Sequence, residues 1–165
     1  MDAFASLSRR GQLLRLRRVG RTALASYGLE DAPLKLQRYE QNTTFRVDAD
    51  DGPYLLRINR PWVHTADAIG SEMAWLSALR RDTDLGVPEP VAARDGSFIV
   101  VARDRGVPAA HVCVLLHWLD GRFINQRLTP APVASRRSCG TVAGARGVLG
   151  AALRVPQATS RHSHQ

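Results

Sequence analysis

The chain has 165 residues, 44% apolar and 23% charged, enough for one domain with an ordinary core and too few for two large ones. Its net charge of +8 sits at the ends: residues 1–21 hold six Arg and one Asp, residues 133–165 hold five Arg and no acid, and the centre is slightly acidic. The centre therefore lacks the continuous basic surface of a nucleic-acid binder, and one lysine beside 22 arginines looks more like GC-rich codon usage than a binding surface.

Residues 3–27 are rich in Ala, Leu and Arg, with Phe4, Leu7 and Leu14 on one face and Leu13, Leu16 and Leu24 on another. This predicts a helix that ends near Gly28 and packs on its own domain. Arginines at 9, 10, 15, 17 and 18 interrupt its apolar runs, which is not the pattern of a signal peptide. The period then changes to two. Leu34–Tyr39 and Thr44–Asp48 alternate, Tyr54–Ile58 is a third strand-forming run, and Asp50-Asp51-Gly52-Pro53 closes a hairpin between the last two.

After a loop through Pro61, apolar positions 69, 73, 76 and 79 or 80 give residues 67–81 a helical stripe. Asp82–Pro90 reads as a connector, and Ser97–Val101 and the apolar run His111–Leu116 as two further strands. The expected fold is α+β: an N-terminal helix, then a five-stranded antiparallel sheet with one helix inserted after the third strand. Trp62 and Trp75 are expected in core or boundary packing, and Cys113, alternating within an apolar strand, in the core. Cys113 and Cys139 fit no C-x-x-C spacing, so neither a disulfide framework nor a zinc site is indicated. No run approaches 18 apolar residues, and the expectation is a soluble, cytoplasmic protein.

One charge is out of place. Glu72 falls in the stripe of Ile69, Met73, Leu76 and Leu79, where an unpaired carboxylate is costly. Its nearest candidate partner is Arg57, near the end of an otherwise apolar strand just before that helix. A strand cation oriented by a helix carboxylate is how protein-kinase-like folds hold nucleotide phosphates. Alone, the pair reads equally as a salt bridge that orders the helix and binds nothing. It has company, however. Glu40-Gln41-Asn42-Thr43-Thr44 lies where a phosphate-covering turn would, with backbone and side-chain donors for an anion, and His117-Trp118-Leu119-Asp120-Gly121 leaves the last strand through an aromatic and a glycine, as a hinge would.

Taken in order, Glu40–Val47, Tyr54–Pro61 (YLLRINRP), Ser71–Leu79 (SEMAWLSAL), Val87–Val91 (VPEPV) and Leu115–Arg122 (LLHWLDGR) resemble the N-terminal lobe of the aminoglycoside phosphotransferase and choline kinase-like family. The resemblance implies a protein-kinase-like fold over residues 22–132, ATP with magnesium as cofactor, Asn42 and Thr43 in the phosphate loop, Arg57 in place of the third-strand lysine and Glu72 as its partner. It also implies that the backbone around Leu116, His117 and Trp118 faces adenine. Arginine at position 57 departs from the general kinase pattern, replacing a point charge with a planar fork.

The family's H-G-D-x-x-x-x-N motif and later Asp, which accept the substrate's proton and hold magnesium, have no counterpart: no His-Gly-Asp occurs, and residues 133–165 contain no acid. No residue is therefore assigned as catalytic or metal-binding. The organisation expected is a helical segment over 1–30, a nucleotide-binding lobe over 31–132, and a basic tail over 133–165 that is disordered or translated out of frame. The function expected is that of an N-terminal fragment of an ATP-dependent small-molecule phosphotransferase, inactive alone. Its partners would be a nucleotide, and a small-molecule acceptor only if the missing lobe is supplied; neither a membrane nor nucleic acid is expected. The rival is a non-catalytic basic module that binds nucleic acid or an acidic partner through its two ends.

Overall fold

The computed structural model describes residues 4–120. The first helix, α1 (Arg9–Ala25), starts later than residue 3, because the Ser8 hydroxyl accepts a hydrogen bond from the Gly11 amide at 3.2 Å and caps it. It ends at Ala25, near Gly28 as expected, and the φ of 75° at Gly28 lets the Leu29 amide reach back to the Leu24 carbonyl at 3.0 Å. The inward face is Leu16, Val19, Gly20, Ala23 and Leu24, not the face of Phe4, Leu7 and Leu14. The reason is continuity: that stripe runs unbroken over two turns, whereas Phe4 and Leu7 precede the helix and Leu14 is exposed.

Three antiparallel strands follow, β1 (Leu34–Tyr39), β2 (Thr43–Ala49) and β3 (Gly52–Ile58). Ala49 pairs with Gly52, so the hairpin turns on Asp50 and Asp51, and the Tyr54 hydroxyl donates to Asp51 Oδ2 at 2.5 Å. The inserted helix, α2 (Ala66–Asp82), is capped by Thr65 Oγ1, which accepts from the Ala68 amide at 3.2 Å. Asp67 in its first turn and Arg80 and Arg81 in its last complement the helix dipole.

Among the described residues the sheet has six strands rather than five. Pro90, the last residue of the expected connector, and Val91 form β4 against β6 (His111–His117), and Val100–Ala102 forms β5 on the same strand. The strand expected from Ser97 starts late because the Ser97 hydroxyl donates to the Ile99 carbonyl at 2.8 Å and accepts from its amide at 3.2 Å, occupying groups a ladder would need. The strand order is β1-β2-β3-β6-β4, so the last described strand lies between the third and the fourth.

The sheet is covered on both faces. Phe45, Val47, Tyr54, Leu56, Ile58, Cys113 and Leu115 pack with α1, while Val114, Leu116 and Leu55 pack with Ile69, Met73 and Leu76 of α2. This double burial makes β6 read as an unbroken apolar run. Cys113 is in the core as expected, and burial pushes its thiol up to about 12. The two tryptophans are not: Trp62 is 81% and Trp75 62% exposed. Trp75 lies outside the narrow inward arc of α2, and Trp62 sits in the loop after β3 with φ at 65°. The boundary expected at residue 132 and the tail beyond it lie outside the described residues.

Candidate functional site

The pleat of β3 turns Tyr54, Leu56 and Ile58 toward α1, and Leu55 and Arg57 toward α2. On α2, Glu72 stands beside the buried Met73 and reaches the same place. The two close a fork: Arg57 Nη1 donates to Glu72 Oε1 at 2.8 Å and Nη2 to Oε2 at 2.6 Å. The Arg57 side chain is 18% exposed and that of Glu72 42% exposed, so the cation is the sequestered member. The guanidinium hydrogen bonds hold the Glu72 carboxyl below its usual range, so the pair is ionised at neutral pH. Of the five guanidinium N–H donors, two go to Glu72 and Nε is buried without a partner. Among the described residues, one hydrogen on each of Nη1 and Nη2 has no acceptor.

The turn between β1 and β2 is drawn inward. Glu40 N donates to the Asn42 carbonyl at 3.2 Å, and Asn42 Oδ1 accepts from the Arg60 amide at 3.2 Å. Arg60 Nη2 also donates to the Glu40 carbonyl at 3.2 Å, so one residue just past β3 ties both sides of the turn. Thr43 is buried, pairs with Ile58 and lies on the α1 side. Nothing in the sequence separates Arg60 from its neighbours, since its role depends on where β3 ends.

At the other end, Leu116 is buried beside α2, the His117 amide donates to the Glu89 carbonyl at 2.8 Å, and the Trp118 amide donates to the Pro53 carbonyl at 3.2 Å. The His117 ring turns away to Tyr54, with centroids 5.1 Å apart. Trp118 Nε1 donates to Asp120 Oδ1 at 3.1 Å, and the Arg46 guanidinium lies 4.8 Å above its ring. Arg46 thus joins the Arg57 face, because Thr44 pairs with Arg57 and Arg46 with Leu55. The alternation Thr44, Arg46, Asp48 contained that signal, but only the register shows where it points. Arg46 Nε and Lys35 Nζ contact Asp48 at 2.6 and 2.8 Å, and these contacts hold its carboxyl below the usual range.

The structure thus joins Arg57 and Glu72 directly, brings Leu116 to their face, and ties Asn42 back to the end of β3. Among the described residues no three His, Cys, Asp or Glu side chains cluster to hold a metal ion.

Residues 35–161 match the phosphotransferase enzyme family. Among solved structures, the chain is similar to a microcompartment-associated aminopropanol kinase, at 31% identity and a TM-score of 0.56 over 62% of this chain and 31% of that one. It is also similar to the amicoumacin kinase hAmiN in complex with AMP-PNP, Ca2+ and Ami, at 18% identity and a TM-score of 0.57 over 70% of this chain and 35% of that one. The second likeness shows the fold alone. The chain spans about a third of the length of either structure. No curated protein matches it. The kinase-like N-terminal lobe read in the sequence is borne out.

Proposed function

Since the chain belongs to the phosphotransferase enzyme family, we propose that its described residues form the ATP-binding lobe of a kinase that phosphorylates a hydroxyl of a small molecule. The observation that carries the reading is the two-pronged Arg57–Glu72 pair. Its cation is largely withdrawn from water, fixed in orientation and left with two terminal N–H donors, which suits the oxygens of a phosphate. The β1–β2 turn at Asn42 covers the phosphates in this reading, while Thr43, buried on the α1 side, anchors the turn through its pairing with Ile58. The backbone of Leu116, His117 and Trp118 borders the adenine, with Trp118 held under Arg46.

The acceptor's chemistry is suggested by the aminopropanol kinase, whose name denotes an amino alcohol. We assign this chain nucleotide binding and no catalytic residue, because transfer requires a proton-accepting Asp and metal-binding side chains of the kind a His-Gly-Asp motif supplies. The test is the melting temperature of the full chain with and without Mg-ATP. A saturable rise that needs about 10- to 100-fold more Mg-ATP in Arg57→Met is expected; no rise with any nucleotide overturns the reading.

A further inference from the structure

The buried polar residues of the described chain are Thr43, Asn59 and His111, and all three line one cavity of about 320 Å³. Thr43 and Ile58 are paired on the α1 side of the sheet, so this cavity opens on the face opposite Arg57 and Glu72. Burying polar side chains is unfavourable unless they are satisfied, and their convergence on an apolar hollow is the arrangement of a small-molecule site. The walls include Leu16 and Ile58, and Trp62 stands at the rim, 81% exposed.

Two of the buried side chains, His111 and Asn59, present acceptors to the cavity. His111 Nδ1 lies 3.1 Å from the Ala109 carbonyl, which fixes the proton on Nδ1 and makes Nε2 a lone-pair acceptor. Burial lowers the His111 pKa, so the ring is neutral near pH 7. Asn59 donates to the Val112 carbonyl through both its backbone amide and Nδ2, each at 2.9 Å, so its side-chain oxygen adds a second acceptor to the lining. The charged residues of the lining, Glu40 and Arg60, are both exposed, and Arg60 Nη2 is engaged with the Glu40 carbonyl, so a charged ligand would enter without a buried counterion. We propose that this cavity, whose walls include Phe4, Tyr39 and Trp62, is a second binding site, taking a small uncharged aromatic molecule with an N–H or O–H donor that is received by His111 Nε2.

The test is calorimetric titration of the full chain at pH 8 with indole, and with 1-methylindole, which keeps the ring system and lacks the donor. Indole is expected to saturate at one equivalent and 1-methylindole to bind about tenfold more weakly, because the buried acceptor then goes unpaired. Substituting the buried His111 would disturb the core, so the site is located with Ala5→Phe, at an exposed position that lines the cavity outside both helices and all strands. That variant is expected to abolish indole binding and to keep the wild-type melting temperature. Absence of saturation, equal affinity for the two indoles, or unchanged binding in Ala5→Phe would each overturn the proposal.

Discussion

Removing either member of the Arg57–Glu72 pair should have unequal effects on stability, and the asymmetry follows from their exposures. In Glu72→Ala the guanidinium, 18% exposed and with its Nε already unpartnered, loses two charge-assisted hydrogen bonds. A hydrogen bond to a charged group contributes about 1.5–3 kcal/mol, and discounting for the 42% exposure of Glu72 leaves a cost of about 2 kcal/mol. For a lobe of this size that lowers the melting temperature by roughly 8 °C. In Arg57→Met the orphaned carboxylate faces water and can hydrate, the buried Nε is gone, and the new side chain meets Leu55 and Val114 on the α2 side. That variant should stay within about 0.5 kcal/mol of wild type, because the charge left behind is the 42% exposed Glu72, which water can solvate, and the desolvation cost of the buried cation is removed with it. Binding should rank the other way. Arg57→Met removes a charge-assisted contact to phosphate and should weaken Mg-ATP about 10- to 100-fold. Thermal melts of both variants, each with and without Mg-ATP, check this. If Arg57→Met proves the more damaging to stability by over about 1 kcal/mol, or keeps the full ATP-induced shift, the guanidinium is a structural tie and the reasoning fails.

Acid should destabilise the lobe. The carboxyls of Glu72 and Asp48 lie below their ordinary values of 4.5 and 3.8, held chiefly by hydrogen bonds from Arg57 and from Lys35. Their contribution is complete above those values and is lost as pH falls through the depressed folded-state ones. Urea midpoints at pH 7, 4 and 3 should decline in that order, less steeply in Arg57→Met. Cys113, with its thiol at about 12 and no exposure, should resist iodoacetamide at pH 8 in the native protein and label fully in denaturant, as read from the Cys113 peptide by mass spectrometry. Gly28→Ala should cost about 1–2 kcal/mol, since the position needs φ of 75° and an added Cβ would run into the Arg94 guanidinium; a melting temperature equal to wild type would refute this.

What could be read without coordinates was whatever a local period encodes. β2 and β3 alternate because each has one face packed on α1, and α2 showed its stripe because Ile69, Met73 and Leu76 recur at helical spacing. Glu72 was legible for a sharper reason: a carboxylate inside an apolar stripe demands a partner, and only one cation stood at the adjoining strand end. Features that depend on two distant segments were not legible. β4 is two residues long and exists because β6 offers it an edge, and Trp62 and Trp75 are exposed although their type suggests burial. His111 shows the limit most clearly. From its neighbours it has no recognisable partner, yet its proton is fixed by a carbonyl two residues away, and its company in the cavity comes from β2 and from the end of β3.

The same register explains why one strand serves two faces. Adjacent residues of β3 diverge, Arg57 toward Glu72 and Ile58 toward the cavity, and Arg60 then ties the β1–β2 turn that borders both. Shifting β3 by one residue would exchange the two faces and lose the ion pair, the cavity wall and the turn together. Strong pairing on both sides of β3, with β2 over its whole length and with β6 over Tyr54–Ile58, is therefore a requirement of the site as well as of the fold.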